Sequence, residues 1–367
     1  MKKLWLLCSL ALILIVPLYF VIGCGTANKT TTTTVTATTT SATSTTLHGT
    51  TNYYGSQSPG DWWSWTLGNS TFVGTNETSG YYYSGTFTDL PTGFKKATIT
   101  ASDDPSLSGF LPHDAYVLEY PNVAMLVKPA GSDDNVIVCA AKATTTPSSG
   151  YFNYINLPYQ GWDESTYAAY GTTEVVRDAG GLYDFSNRAY NISKAQCYSS
   201  QEVDYVLSDG KLSKTGSDLQ VFLTPSGAFM GDSGPGQGGF AGAQKETLSI
   251  TDIVTREYNG FMFEYDTTTG AGTSTPVGGE PHPTTANAIK GFAYASLETG
   301  TREAGVDAEL VLTSQDSNGV YHGTMDTGSY NYTLHAVIAR VSGKILLFAI
   351  AKAAGNDNPM NFLVIEK

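Results

Sequence analysis

A serine bracketed by glycines and preceded by aspartate, Gly231-Asp232-Ser233-Gly234-Pro235, has the composition of an exposed nucleophile turn. Such a serine works only beside a base histidine held by a carboxylate, with N–H donors for the oxyanion. The upstream histidines are His48, at the edge of a Thr-rich stretch, and His113, in Leu111-Pro112-His113-Asp114. Neither sits in a base-like segment, so Ser233 reads as a turn residue and no catalytic residue is assigned. The five histidines are scattered without a pair at ligand spacing, which gives no zinc pattern. Asp103-Asp104, Asp133-Asp134 and Asp316-Ser317-Asn318-Gly319 carry the oxygens calcium takes, without the EF-hand loop pattern, and hairpin turns use the same residues. No metal or cofactor is expected. A carboxylate pair for glycoside hydrolysis is defined by separation in space and is not legible in a sequence.

Aromatic residues form the other chemical group. Trp62-Trp63-Ser64-Trp65 and Tyr81-Tyr82-Tyr83 lie on presumed strands. Side chains alternate along a strand, so Trp63 and Trp65 share one face and Trp62 takes the other. One face is core; an exposed one could stack on sugar rings or anchor a protein. The candidate binding surface is Trp62, Trp63, Trp65, Tyr81 and Tyr83.

Lys2 and Lys3 precede an apolar run, Leu4 to Ile22, of 19 residues. At ~1.5 Å per residue this is ~28 Å, enough to span a bilayer core as a permanent anchor. Its end, Val21-Ile22-Gly23-Cys24, resembles the lipobox of bacterial lipoproteins. That resemblance implies cleavage before Cys24, a lipid-modified Cys24 and a signal peptide over residues 1–23. Residue 25 is Gly rather than Asp, which by similarity to enterobacterial lipoproteins leans toward the outer membrane if the source is Gram-negative. With Cys8 removed and Cys24 modified, Cys139 and Cys197 could form one disulfide outside the cytoplasm. Two separate thiols are the alternative, since Cys139 lies in the strand-like run Val136 to Ala141.

Residues 24–46 are Thr-rich, lack any apolar period and read as a disordered tether. A coil of this length reaches ~25–30 Å. Beyond it, charged residues are only 14% of the chain, while Gly (39) and Tyr (23) abound, which favours β-structure. The net charge of −13, with no basic cluster longer than Lys95-Lys96, argues against nucleic acid as a partner.

Short strand-like runs separated by turn residues recur from Trp62 onward. The clearest are 80–87, 96–100, 115–120, 123–128, 136–142, 219–224, 260–265, 289–296, 308–313, 319–325, 332–341, 344–352 and 361–366, with Ser342-Gly343 joining a closing hairpin. Asp163 to Tyr170 is the one helix candidate. Thr267 to Pro283, ending Pro276-Val277-Gly278-Gly279-Glu280-Pro281-His282-Pro283, reads as a long irregular loop. Two echoes suggest related hairpins. Tyr83-Ser84-Gly85-Thr86 matches Tyr321-His322-Gly323-Thr324, and Lys128 to Asp133 matches Lys352 to Asp357.

Phe229-Met230-Gly231, then six residues, then Gly238-Gly239-Phe240 resembles a pattern in the β-barrel lobes of transferrin-binding-type surface lipoproteins. It implies a lipid-tethered barrel that binds a partner, and carries over no ligand or binding residue. Trp65 to Phe72 with Gly85-Thr86-Phe87 also resembles the first hairpin of avidin-like barrels. The later tryptophans a biotin pocket needs are absent, only Trp162 lying downstream. The expected fold is all-β, with antiparallel meander barrel or sandwich lobes at 47–160 and 161–367. The expected role is a lipid-anchored envelope module contacting protein, glycan or a small ligand. A hydrolase of envelope glycans and a structural lipoprotein are the alternatives.

Overall fold

The computed structural model describes residues 50–57, 60–129, 136–147, 149–157, 168–234, 238–266, 271–354 and 359–367. The signal, Cys24 and the Thr-rich segment lie outside this set. From Thr46 onward the chain is one compact unit. It contains three closed antiparallel barrels of eight strands each.

The first barrel runs from β1 (Thr51–Gln57), β2 (Asp61–Leu67), β3 (Thr71–Asn76) and β4 (Tyr82–Asp89) through β5 (Lys95–Ser102) and β6 (His113–Tyr120). β7 (Ala124–Pro129) and β8 (Ile137–Ala141) complete it, and β1 closes on β8 with Tyr53 opposite Ala141. The second barrel begins with β9 (Gly150–Leu157), β10 (Ala169–Arg177), β11 (Tyr183–Asn191) and β12 (Gln196–Ser208). It continues through β13 (Lys211–Ser213), β14 (Gln220–Leu223), β15 (Ala228–Asp232) and β16 (Gly239–Gln244). The third follows a five-residue helix, α1 (Ile250–Val254), N-capped by Ser249. Its strands are β17 (Tyr258–Asp266), β18 (Ala271–Pro281), β19 (Ala288–Ser296), β20 (Thr301–Gln315), β21 (Tyr321–Asp326), β22 (Asn331–Val341), β23 (Lys344–Ala353) and β24 (Met360–Glu366).

The all-β meander reading therefore describes the molecule, and its barrel alternative is the one realised. The division into two lobes does not: the stretch 47–160 carries the first barrel plus β9, and 161–367 carries the rest of the second barrel and all of the third. Turn chemistry marks where strands reverse, whereas closure depends on which distant strands pair, and only the third dimension fixes that.

Each lumen is packed with its own side chains, as an eight-stranded barrel requires. Tyr53, Trp63, Trp65, Phe72, Tyr83 and Met125 fill the first. Phe152, Tyr183, Phe185, Tyr205 and Phe229 fill the second. Tyr258, Tyr321, Met325, Ile338 and Phe362 fill the third. A fourth cluster lies outside the lumens and draws on all three barrels: Leu126, Val138, Phe222, Met230, Phe261, Leu346, Phe348 and Leu363 are among its members. In β7, β8, β23 and β24 successive residues alternate between the lumen cluster and this seam. Met125 is in a lumen and Leu126 in the seam; Leu347 is in a lumen and Phe348 in the seam. Burial on both faces explains why these strands are continuous apolar runs rather than alternating ones. Each large apolar side chain removed from water there contributes about 1.5–3 kcal/mol.

Two local expectations change. Residues 271–281 of the expected loop form β18, in which Pro276 opposes Phe261 while pairing with β19 begins only at Val277. Proline is tolerated there because no ladder bond to β19 is needed at that residue. Gly278 lets the Phe292 ring cross the strand, since a Cβ would lie 2.4 Å from it. The helix candidate falls at 163–167 outside the described residues, and Ala169 and Tyr170 open β10 instead. Of the two echoes, Lys128 to Asp133 and Lys352 to Asp357 both join the seventh and eighth strands of a barrel. Tyr83 to Thr86 lies on a fourth strand and Tyr321 to Thr324 on a fifth.

Candidate functional site between the first two barrels

The site begins with a turn. Asp209 and Gly210 join β12 to β13 with φ of +52° and +76°, the pair of positive angles a tight hairpin of this hand requires. Gly210 lies against the end of the first barrel, where a Cβ would sit 2.7 Å from Lys142 Cγ and 2.9 Å from the Ala143 carbonyl. The glycine thus lets the hairpin tip dock beside Lys142. Docking brings Asp209 to Lys142, with which it forms an ion pair, and to Tyr54, whose hydroxyl donates to its carboxylate at 2.5 Å. Lys142 foremost, then Tyr54, holds the Asp209 carboxyl below the usual range.

Between this hairpin and strands β1 and β2 lies a groove of about 510 Å³. Its aromatic floor is Tyr54 and Trp62, ring centroids 6.2 Å apart, both packed on Phe222 of the second barrel at 5.6 and 6.4 Å. The Lys211 ammonium lies 3.8 Å from the centre of the Trp62 ring. Burial lowers the Lys211 pKa and raises that of Tyr54, where the Asp209 hydrogen bond adds to the effect. Asn52, Ser64, Thr66, Ser208 and Ser213 supply uncharged polar groups, and Ser64 donates to Glu77.

Of the five predicted aromatics, Trp62 and Trp65 are among the residues lining this groove, and of these two only Trp62 lies on the strand face turned away from the first lumen. Trp63, Trp65 and Tyr83 are buried in the first lumen, Trp63 stacked on Trp65 at 5.4 Å, and half-buried Tyr81 packs against the same cluster. Three of them are thus core, because their strand face points inward. Tyr54, Asp209 and Lys211 escaped the sequence reading; the Asp-Gly dipeptide at 209–210 was the available signal. Cys139 is fully buried in β8 and Cys197 is exposed on β12 of the other barrel, so the structure does not join the pair. Burial drives the Cys139 thiol pKa far upward.

The serine turn has a different role from nucleophilic chemistry. Asp232 is buried where the first two barrels meet, accepting from Ser56 Oγ at 3.1 Å and from the Gly234 N–H at 2.6 Å. Burial raises its pKa to about 6. Histidine enters none of these bonds.

A second polar cluster joins the second and third barrels. His322 meets His335 at 2.9 Å between their Nδ1 atoms and Asp316 at 3.2 Å, while the His335 ring stacks on Tyr170 at 4.5 Å. Burial, then the facing His322, lowers the His335 pKa to about 4. Asp316 also accepts from the Asn318 and Val320 N–H groups, shaping its own turn. These residues do not line the groove, and they bring Tyr170 of β10 against His322 of β21 and His335 of β22. Asp104 caps a short turn by accepting from the Ser106 N–H, and Asp133-Asp134 lie outside the described residues. Among the described residues, no three His, Cys, Asp or Glu converge as a metal site.

Fold and groove together define the class of this molecule: a chain of three packed eight-stranded barrels with a polar, aromatic-floored site between two of them. No family model matches the chain, and no curated protein matches it. Among solved structures it is similar to a "putative outer membrane protein" of Bacteroides fragilis NCTC 9343, at 11% identity and TM-score 0.18, over 60% of this chain and 95% of the other. It is also similar to a protein of unknown function from the DUF3598 family of Nostoc punctiforme PCC 73102, at 7% identity and TM-score 0.22, over 78% of this chain and 95% of the other. Scores of this size define no family and assign no activity.

Proposed function

We propose that this chain is a lipid-anchored binding module of the cell envelope whose ligand occupies the groove between the first two barrels. The groove itself carries the reading. The lumens are filled by their own aromatic and aliphatic side chains, whereas this concavity has the size and mix of aromatic and convergent polar groups of ligand sites. Val21-Ile22-Gly23-Cys24 supports lipid anchoring through Cys24, and Gly25 favours the outer membrane in a Gram-negative source. Hydrolysis finds less support: a general acid needs a raised pKa, Asp209 is pushed the other way, and Asp232, raised to about 6, accepts from Ser56 and the Gly234 N–H and does not line the groove.

Two measurements test this. Labelled palmitate should mark the wild-type chain and not Cys24→Ser, which should leave the membrane fraction; an unlabelled wild type with Cys24→Ser still in the membrane overturns the anchor. Detergent-solubilised full-length protein should co-pellet with delipidated envelope material, and Trp62→Ala should not. Equal pelleting of both would remove the groove from the account.

A further inference from the structure

We infer that the ligand of this groove is an uncharged carbohydrate chain, an inference that rests on the groove being the binding site. Charge decides the first part. The lining carries two cations, Lys142 and Lys211, and two carboxylates, Glu77 and Asp209. Lys142 and Asp209 neutralise one another, Glu77 accepts from Ser64, and the Lys211 ammonium lies over the Trp62 ring with the Glu77 and Asp209 carboxylates nearby. A site built for an anion would leave cations open toward it, and one for a cation would leave carboxylates open. Here the formal charges of the lining cancel, and one of the two opposite pairs is closed as an ion pair.

Surface chemistry decides the second part. Protein-binding patches expose contiguous apolar area. The most exposed large apolar side chains, Phe110, Tyr330 and Tyr151, do not line the groove. What the groove offers is the part of the half-buried Tyr54 and Trp62 rings that Phe222 and the two lysines leave uncovered, beside hydroxyl and amide groups. A pyranose matches both, with an apolar C–H face for the rings and hydroxyls around its rim. About 510 Å³ lies within the range of small-ligand sites and accommodates a short segment of chain rather than a lone ion.

The test uses full-length protein in detergent and the polysaccharide fraction of the same envelopes, delipidated and protease-treated. One half of that fraction is oxidised with periodate, which cleaves vicinal diols. The intact fraction should bind, the oxidised fraction should not, and affinity should change less than about twofold between about 50 and 500 mM salt. Trp62→Ala should weaken binding at least about tenfold and Trp62→Phe, which keeps a ring face, should recover most of it, with thermal melts confirming that both fold. Binding to untreated envelopes that depends on Trp62 but disappears with protease and survives periodate overturns the carbohydrate and leaves the groove standing, with a protein as its occupant. A steep salt dependence also overturns it, in favour of a charged ligand. Binding that ignores Trp62 altogether overturns the groove reading beneath it.

Discussion

Replacing Asp232 by asparagine should stabilise this protein at neutral pH. The carboxyl is buried where the first two barrels meet, and burial lifts its pKa from 3.8 to about 6. A folded-state pKa above the unfolded one means the native state binds the proton more tightly. The contribution is full below the unfolded value and is lost as pH rises through about 6. Two units at about 1.4 kcal/mol each place the cost of ionising this group at neutral pH near about 3 kcal/mol. An amide in its place carries no charge and can still accept from the Gly234 N–H. Its new N–H finds Ser56 Oγ as an acceptor if that hydroxyl turns to the Gln57 carbonyl, already 3.4 Å away. With an unfolding entropy of ~2.1 cal/mol/K per residue over roughly 320 residues, about 3 kcal/mol corresponds to about 4 °C in Tm. The assay is thermal or urea unfolding of wild type and Asp232→Asn at pH 4 and pH 7.5. The variant should be the more stable at pH 7.5 and nearly equal at pH 4. An Asp232→Asn protein that is no more stable at neutral pH, or whose difference does not change with pH, refutes the reasoning.

His335 should give the opposite slope, because its folded pKa falls from 6.5 to about 4. The unfolded chain then takes up the proton first, and stability drops as pH falls below about 6.5; unfolding of His335→Gln across pH 4–7 should show this fall reduced, and an unchanged profile would count against it. Trp63→Ala, in the packed lumen, should cost about 3–5 kcal/mol in urea unfolding, and a loss under about 1 kcal/mol would mean the lumen is not filled as described. In the native protein a maleimide should label Cys197 and reach Cys139 only after unfolding; a Cys139–Cys197 cross-linked peptide in a non-reducing digest would contradict the placement of the two. Gly210→Val should weaken ligand binding in the pelleting assay, because a side chain at φ +76° meets both strain and the first barrel; undiminished binding would detach the hairpin from the site.

The strands were legible where local chemistry sufficed. Ser342-Gly343, with φ of +50° and +98°, is the reversal between β22 and β23 that the flanking apolar runs announce. β7, β8, β23 and β24 were equally plain, since burial on two faces leaves no polar interruption. Of the strands that escaped, β10 buries every second residue over its first seven positions and β12 buries only Tyr205, so Ser, Asn, Thr and Glu on the exposed faces interrupt the apolar signal. β18 escaped because its glycines and prolines imitate a loop, although the Phe292 ring needs the space Gly278 leaves.

The sequence by itself determined the β-class, the alternation that sets Trp62 against Trp63 and Trp65, and the lipobox-like end of the first apolar run. These follow from spacing along the chain. Tertiary structure decided the rest: that eight strands close three times, that three of the five candidate aromatics turn into a lumen, and that Asp209 meets Lys142 and Tyr54. Such outcomes belong to pairs of residues far apart in sequence. Tyr54 and Asp209 are separated by 155 positions, and no local pattern encodes which barrel will pack beside which. The groove exists because two closed surfaces, each buried against a shared seam, leave a polar gap where a glycine turn lets them touch.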